Sequence, residues 1–155
     1  MRMLVQRVRE ARVTVGGRAT GAIGVGLVAL VGFSRQDGPD LPRTPAWERT
    51  LERLIEMRIF PDPEDRMRLS LREWGGELLL VPQFTLYADL GKGRRPSFHL
   101  AAEPAVAAPL FEQLVDEMGR RLPGKVAQGE FGASMHVSLV NWGPVTIMLD
   151  SAGEG

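Results

Sequence analysis

Two short segments hold the groups best suited to chemistry. The first is Pro82-Gln83-Phe84-Thr85-Leu86-Tyr87, directly after the apolar run 77–81. Pro82 has no N–H and ends regular strand pairing. The N–H groups just beyond it, at Phe84 and Thr85, are then free to face a ligand. Paired N–H groups of that kind can stabilise an oxyanion, although a simple strand end explains the segment equally well. The second is Asn141-Trp142-Gly143-Pro144-Val145-Thr146. Gly-Pro inside an extended run is locally costly, and an X–Pro bond is cis in only about 5–6% of folded cases. A rigid kink there can present two backbone carbonyls in one direction. An ordinary turn is the plainer alternative.

Other constellations say less. Gly91-Lys92-Gly93-Arg94-Arg95 lacks the spacing and the following Ser or Thr of a phosphate loop. Arg forks do grip phosphate oxygens, so Lys92, Arg94 and Arg95 are candidates for phosphate contacts. The glycines of 21–26 have the wrong spacing for a dinucleotide fingerprint, and a strand follows them. Ser97 and His99 with the scattered acids suggest a triad. Nothing in the sequence fixes their geometry, and Ser97 lacks a nucleophile-elbow context. His136 lies in an extended apolar run and reads as structural. Glu52 with Glu56, and Asp116 with Arg120, are four apart and read as helix-face charges.

Composition excludes several classes. The chain has 155 residues, room for one domain. Its 19 basic and 19 acidic residues cancel, so any anionic partner must be held by a local patch. With no cysteine there is no disulfide, thiolate metal site or thiol nucleophile. Two histidines argue against a His-rich metal site, so no metal is expected. The first ten residues are charged and carry no signal core. The longest apolar run, 22–33, is too short to span a bilayer. The expectation is a soluble cytoplasmic protein without a membrane partner.

The elements that must position these segments follow from periodicity. Residues 3–8 and 11–15 read as short strands and Gly16-Gly17 as a turn. Residues 22–33 read as one strand covered on both faces, with Gly24 and Gly26 marking a bulge or a close backbone approach. Trp47, Leu51, Leu54 and Ile55 form an apolar stripe on a helix over about 46–58, which Pro61 and Pro63 should stop. Residues 64–76 read as short extended pieces, 77–81 as a buried strand and 88–100 as a loop. A second helix covers about 104–121, with Pro104 in its first turn. Pro109 implies a kink or a late start. Residues 125–128 and 135–149 are extended, and 151–155 should be a frayed tail. The expected fold is α/β, a single domain over 1–150 with mixed strands around two helices.

Taken together the motifs resemble the D-aminoacyl-tRNA deacylase family. That family carries Ser-Gln-Phe-Thr-Leu and Asn-X-Gly-Pro-Val-Thr segments, matched here by residues 82–86 and 141–146. Val5-Gln6-Arg7-Val8 and Ala11-Arg12-Val13-Thr14-Val15 look like its opening strands. Arg95-Pro96-Ser97-Phe98 and Gly129-Glu130-Phe131-Gly132-Ala133-Ser134-Met135 come in its order. The resemblance covers essentially 1–150 and implies largely antiparallel strands layered around two helices.

It also implies a cytoplasmic homodimer, without cofactor or metal, that hydrolyses the ester between a D-amino acid and the 3′-terminal adenosine of tRNA. By the same analogy Gly143-Pro144 is a cis peptide that enters the partner subunit's pocket. Its carbonyls exclude an L side chain, and glycyl-tRNA mischarged on alanine tRNA is also cleaved. Arg7 supports that element, Phe131 and Met135 line the pocket, and Gln83 supports the site. The N–H groups of Phe84 and Thr85 form the oxyanion hole, and the RNA 2′-hydroxyl activates water. An alternative role for Thr85 as nucleophile needs an adjacent base, and the sequence shows none. The departure is Pro82 where most members have Ser. It leaves open an inert binder of aminoacyl-tRNA or a variant that tolerates L-alanine; a fold relative used as a protein-interaction module is a separate alternative.

Overall fold

Met3, Val5, Val8, Ala11 and Val13 are buried along β1 (Arg2–Val15) of the computed structural model, which describes residues 1–91 and 93–153. The two short runs expected here are one strand. The Gly16-Gly17 turn leads into β2 (Arg18–Ile23). The apolar stretch 22–33 is not continuous; it breaks after Ile23 and resumes as β3 (Gly26–Gly32). The break lets both strands use the same edge of β1. Residues 2–8 of β1 pair with β3, and residues 11–15 pair with β2. At Gly26 the expected close approach is real: an added Cβ would stand 1.9 Å from the Glu77 carbonyl oxygen.

Thr44 Oγ1 accepts the Trp47 N–H at 3.2 Å, and Pro45 takes the first position of α1 (Pro45–Glu56). Its stripe of Trp47, Leu51, Leu54 and Ile55 is buried, worth about 1.5–3 kcal/mol per side chain. The helix ends before the prolines, and the chain continues into a small hairpin of β4 (Phe60–Pro61) and β5 (Met67–Leu69). Residues 70–75 are not extended as expected; a short helix, α2 (Leu71–Trp74), lies here. Ser70 Oγ accepts the Glu73 N–H at 3.2 Å, and Glu73 Oε2 accepts the Ser70 N–H at 2.7 Å. Ser70 is buried, so Ser70→Ala leaves the Glu73 N–H unpaired. The loss should be about 1 kcal/mol, a fall of roughly 2–4 °C in Tm on a thermal melt.

The buried strand β6 (Glu77–Pro82) follows, then α3 (Pro104–Arg121), β7 (Val126–Gln128) and β8 (His136–Asp150). The late start allowed for α3 does not occur: it begins at Pro104 and holds Pro109 inside it. Ser151 is tied back to Met1 by Ser151 N–H to Met1 O at 3.0 Å and the terminal ammonium to Ser151 Oγ at 2.8 Å.

β8 pairs antiparallel with β1 along the edge opposite β2 and β3, while β3, β6 and β7 run parallel. Side chains alternate between two cores. Leu27, Ala29, Leu78 and Leu80 face α1 and α3; Val28, Leu79 and Val81 face the other side with Val8, Ala11 and Val13. Met3 and Val5 face the helices, yet the odd-numbered Ala11 and Val13 do not. A register shift between Val8 and Glu10 against β8 inserts Arg9 and exchanges the faces. Trp47 Nε1 donates to Glu117 at 3.0 Å, tying α1 to α3. Among the described residues no helix is long and apolar enough to cross a membrane.

Candidate functional site

A pocket of about 550 Å³ opens where β6 ends. Pro82, Gln83 and Phe84 form one wall. Phe131 and Met135 come from the segment between β7 and β8, and Ala107 from the start of α3. Gln83 N–H makes the last sheet bond, to Val31 O at 2.6 Å. The chain then winds into a single 3-10 turn over Phe84–Tyr87. The first N–H groups of such a turn have no partner within it. Those of Phe84 and Thr85 meet no acceptor among the described residues. The Gln83 side-chain amide donates to Thr85 Oγ1. That hydroxyl has an amide neighbour and, among the described residues, no partner that can act as a base.

The Phe84 ring meets Phe98 edge-on at 5.0 Å, and both rings are exposed at the pocket mouth. Phe131 leans on Phe111 of α3, with centroids 6.3 Å apart. Met135 Sδ accepts the Glu130 N–H at 3.3 Å and so closes the 130–135 loop.

Arg7, Gly143 and Pro144 are not in that pocket. They form a second group on the β1–β8 pair. Gln6 pairs with Thr146 and Val8 with Asn141, so Trp142 to Val145 stand opposite Arg7 alone. The run expected to kink or turn at Gly143-Pro144 is thus one strand carrying a wide bulge, with Gly143 and Pro144 exposed at its tip and their peptide bond cis. Asn141 explains why its residue type suits the place. Its Oδ1 accepts the Val145 N–H at 2.8 Å, and its Nδ2 donates to Val145 O at 3.1 Å, bracketing the bulge as a ladder rung would.

Arg7 is buried beneath the bulge. Its Nε donates to Trp142 O at 2.8 Å and its Nη1 to Ile59 O. Burial lowers its pKa from the ordinary value; Arg9 adds to that, and Asp65 opposes it. Its charge is still balanced by two carbonyl dipoles and the Trp142 ring, 4.5 Å from the guanidinium carbon.

The remaining candidates lie on the 88–100 loop. Asp89 and Ser97 exchange backbone hydrogen bonds at 2.8 and 2.9 Å and close its base. Arg94 and Arg95 are exposed on it; Lys92 lies outside the described residues. Ser97 Oγ and His99 Nδ1 are 2.8 Å apart, and His99 Nε2 is 3.9 Å from Asp89 Oδ2. The triad geometry absent from the sequence is therefore partly assembled, but on an exposed loop whose Ser and His do not line the pocket. Sequence reading missed Phe98 at the pocket mouth and the aromatic neighbours of Trp142. Phe98 stood within a matched segment but was given no role; the others had no local signal.

Comparison with known proteins identifies the family. The family model described as D-Tyr-tRNA(Tyr) deacylase matches residues 4–150. The D-aminoacyl-tRNA deacylase of Solidesulfovibrio magneticus is 58% identical, covering 100% of this chain and 98% of its own length. That of Nitratidesulfovibrio vulgaris strain DP4 is 57% identical, covering 98% and 94%. Among solved structures, the c-Myc DNA unwinding element binding protein superposes with a TM-score of 0.87 at 35% identity over 97% of this chain and 98% of that one. A probable eukaryotic D-amino acid tRNA deacylase, at 21% identity and a TM-score of 0.77 over 96% and 97%, shares the fold. The chain belongs to the D-aminoacyl-tRNA deacylase family, hydrolases of the ester that joins an amino acid to tRNA.

Proposed function

We propose that the chain, as a homodimer in the cytoplasm, hydrolyses D-aminoacyl-tRNA and mischarged glycyl-tRNA to free amino acid and tRNA. One observation carries this reading. The pocket holds Gln83, Phe84, Phe131 and Met135, while the Arg7-supported Gly143-Pro144 tip projects exposed elsewhere on the same chain. A second copy's tip completes the pocket. The edge strand β8 favours such pairing, with Val137, Val140 and Met148 exposed along it.

In this reading the 3′-terminal adenosine and its aminoacyl group enter beside Phe84. Water, oriented by the ribose 2′-hydroxyl, adds to the ester carbonyl. The N–H groups of Phe84 and Thr85 receive the oxyanion, and the C–O bond to the 3′-oxygen breaks as that oxygen takes a proton. The carbonyls of Gly143 and Pro144 from the partner face the substrate α-carbon and its amino group. An L side chain collides with them, a D side chain points away, and glycine has none to reject. Main-chain catalysis of this kind tolerates Pro82, since neither donor belongs to it.

Single-turnover hydrolysis of D-tyrosyl-tRNA beside L-tyrosyl-tRNA, with chelator present, tests it. Release of D-tyrosine alone is expected. Rapid cleavage of L-alanyl-tRNA at equal enzyme would sink the chiral assignment. No hydrolysis of any substrate, with tRNA still bound, would favour the inert binder and make Pro82→Ser the next variant. Arg94 and Arg95 are proposed to meet RNA phosphates, as is Lys92, which lies outside the described residues. Replacing Arg94 and Arg95 by Ala should flatten the slope of log affinity against log salt by about 1.4–1.8, the share of roughly two contacts. An unchanged slope discards the loop as an RNA contact.

A further inference from the structure

The residue before Gly143 is built into a platform that the proposed mechanism does not use. Trp142 leaves the β1–β8 ladder at the start of the bulge and turns its indole onto the helix-side core. Trp74 of α2 lies 5.7 Å away at 60°, and Phe60 of β4 meets it edge-on at 6.3 Å. Phe60 and Trp74 stack on each other at 5.7 Å and 21°. Two guanidiniums cover the same indole. Arg9 stands 3.5 Å from its centroid and Arg7 4.5 Å. Arg7 also donates to the Trp142 carbonyl, so one residue is held by its ring and by its backbone together.

This is more than packing under a loop. Gly143 follows Trp142 directly, and both Gly143 and Pro144 are exposed and outside the β1–β8 register. Asn141 fixes the far end through Val145. The near end is held by the Trp142 carbonyl bond and by its ring. A rigid tip therefore requires the ring to stay put, and cations on both indole contacts oppose its rotation. The inserted residue in the β1 register shift is Arg9, which supplies the closer of the two cations.

We propose that Trp142, clamped by Arg9, Arg7, Trp74 and Phe60, is a positioning residue that sets the direction of the Gly143-Pro144 carbonyls and hence the D-over-L preference. The proposal rests on the chiral role given above to Gly143-Pro144. The platform touches no substrate; it acts through the tip. A loosened tip loses its grip on the D substrate's amino group and its collision with an L side chain.

The test is the ratio of kcat/KM for D- and L-tyrosyl-tRNA in Trp142→Ala, Trp142→Phe, Trp74→Ala and Arg9→Ala. Trp142→Ala should lower the ratio about ten-fold, as roughly one or two cation–π contacts allow. D hydrolysis falls, and L hydrolysis rises. Trp142→Phe keeps a ring under both guanidiniums and should restore most of the ratio. Trp74→Ala and Arg9→Ala, on the exposed side of the platform, should lower it by smaller factors; they carry the test if Trp142→Ala does not fold. A merely structural role would lower both rates in parallel and leave the ratio unchanged, which overturns the proposal. Gly143→Ala in the same series separates the two readings. If it collapses the ratio and the platform variants do not, only the platform fails. If it too leaves the ratio unchanged, the chiral role of the tip fails as well.

Discussion

Gly143→Ala is expected to cut kcat/KM for D-aminoacyl-tRNA about a hundred-fold, equivalent to roughly 2.7 kcal/mol, while costing the fold far less. Gly143 has φ +143, a region that L side chains rarely enter. A Cβ there would lie 2.8 Å from Val145 Cγ2 and 2.9 Å from the Val145 nitrogen, with Arg7 Nη2 at 3.2 Å. Val145 cannot give way cheaply, because Asn141 holds its N–H at 2.8 Å. Arg7 cannot either, since its guanidinium already serves two carbonyls. The tip must therefore move, and because it is exposed it can move without opening the core. Rates on D and L substrates measured beside a thermal melt check this. A melt that falls together with both rates, at constant ratio, would show that the residue is structural only.

Arg7→Ala should be the most damaging single polar change to stability, at about 2–4 kcal/mol. Arg7 is only 6% exposed, and it reaches across from β1 to Trp142 on β8 and to Ile59 before β4. Alanine removes the donor for both carbonyls and leaves a gap under the Trp142 ring. For a chain of this size the loss corresponds to a Tm lower by roughly 5–15 °C. Arg7→Lys keeps the charge but replaces a planar fork by a point donor, so it should recover only part of the loss. Activity should fall further than stability alone accounts for, because the tip loses its support. A Tm within error of the parent would refute the account of Arg7 as the bulge's anchor.

Much of this architecture can be read locally. The stripe of Trp47, Leu51, Leu54 and Ile55 names its helix because its period is a property of the segment itself. Buried β6 shows as a continuous apolar run, but Pro82 does not end its pairing: Gln83 N–H still bonds Val31 O, and the N–H groups of Phe84 and Thr85 are unpartnered because they open the 3-10 turn. The capping box of Ser70 and Glu73 was also legible by its spacing, although charge in 64–76 masked it. The two motif segments stood out by their residue types and order, and their candidate roles came from the family resemblance those segments carry.

Other features depend on pairings far apart in the chain. The apolar stretch 22–33 divides because two strands share one edge of β1, a demand set by residues 2–15 and not by the stretch itself. Pro109 sits within α3 because packing of Ala107, Leu110, Phe111 and Leu114 outweighs one missing hydrogen bond. The strand over His136–Asp150 continues through Gly143-Pro144 because β1 pairs with both of its arms while Asn141 closes the bulge between them. Phe60, Trp74 and Trp142 belong to three separate elements, and no periodicity links them. Sequence determined which segments are proposed to carry the chemistry, since local backbone rules act residue by residue. Tertiary structure alone decided that the pocket and the Gly-Pro tip lie apart on one chain, and what holds the tip, because long-range register and ring packing exist only after the strands have met.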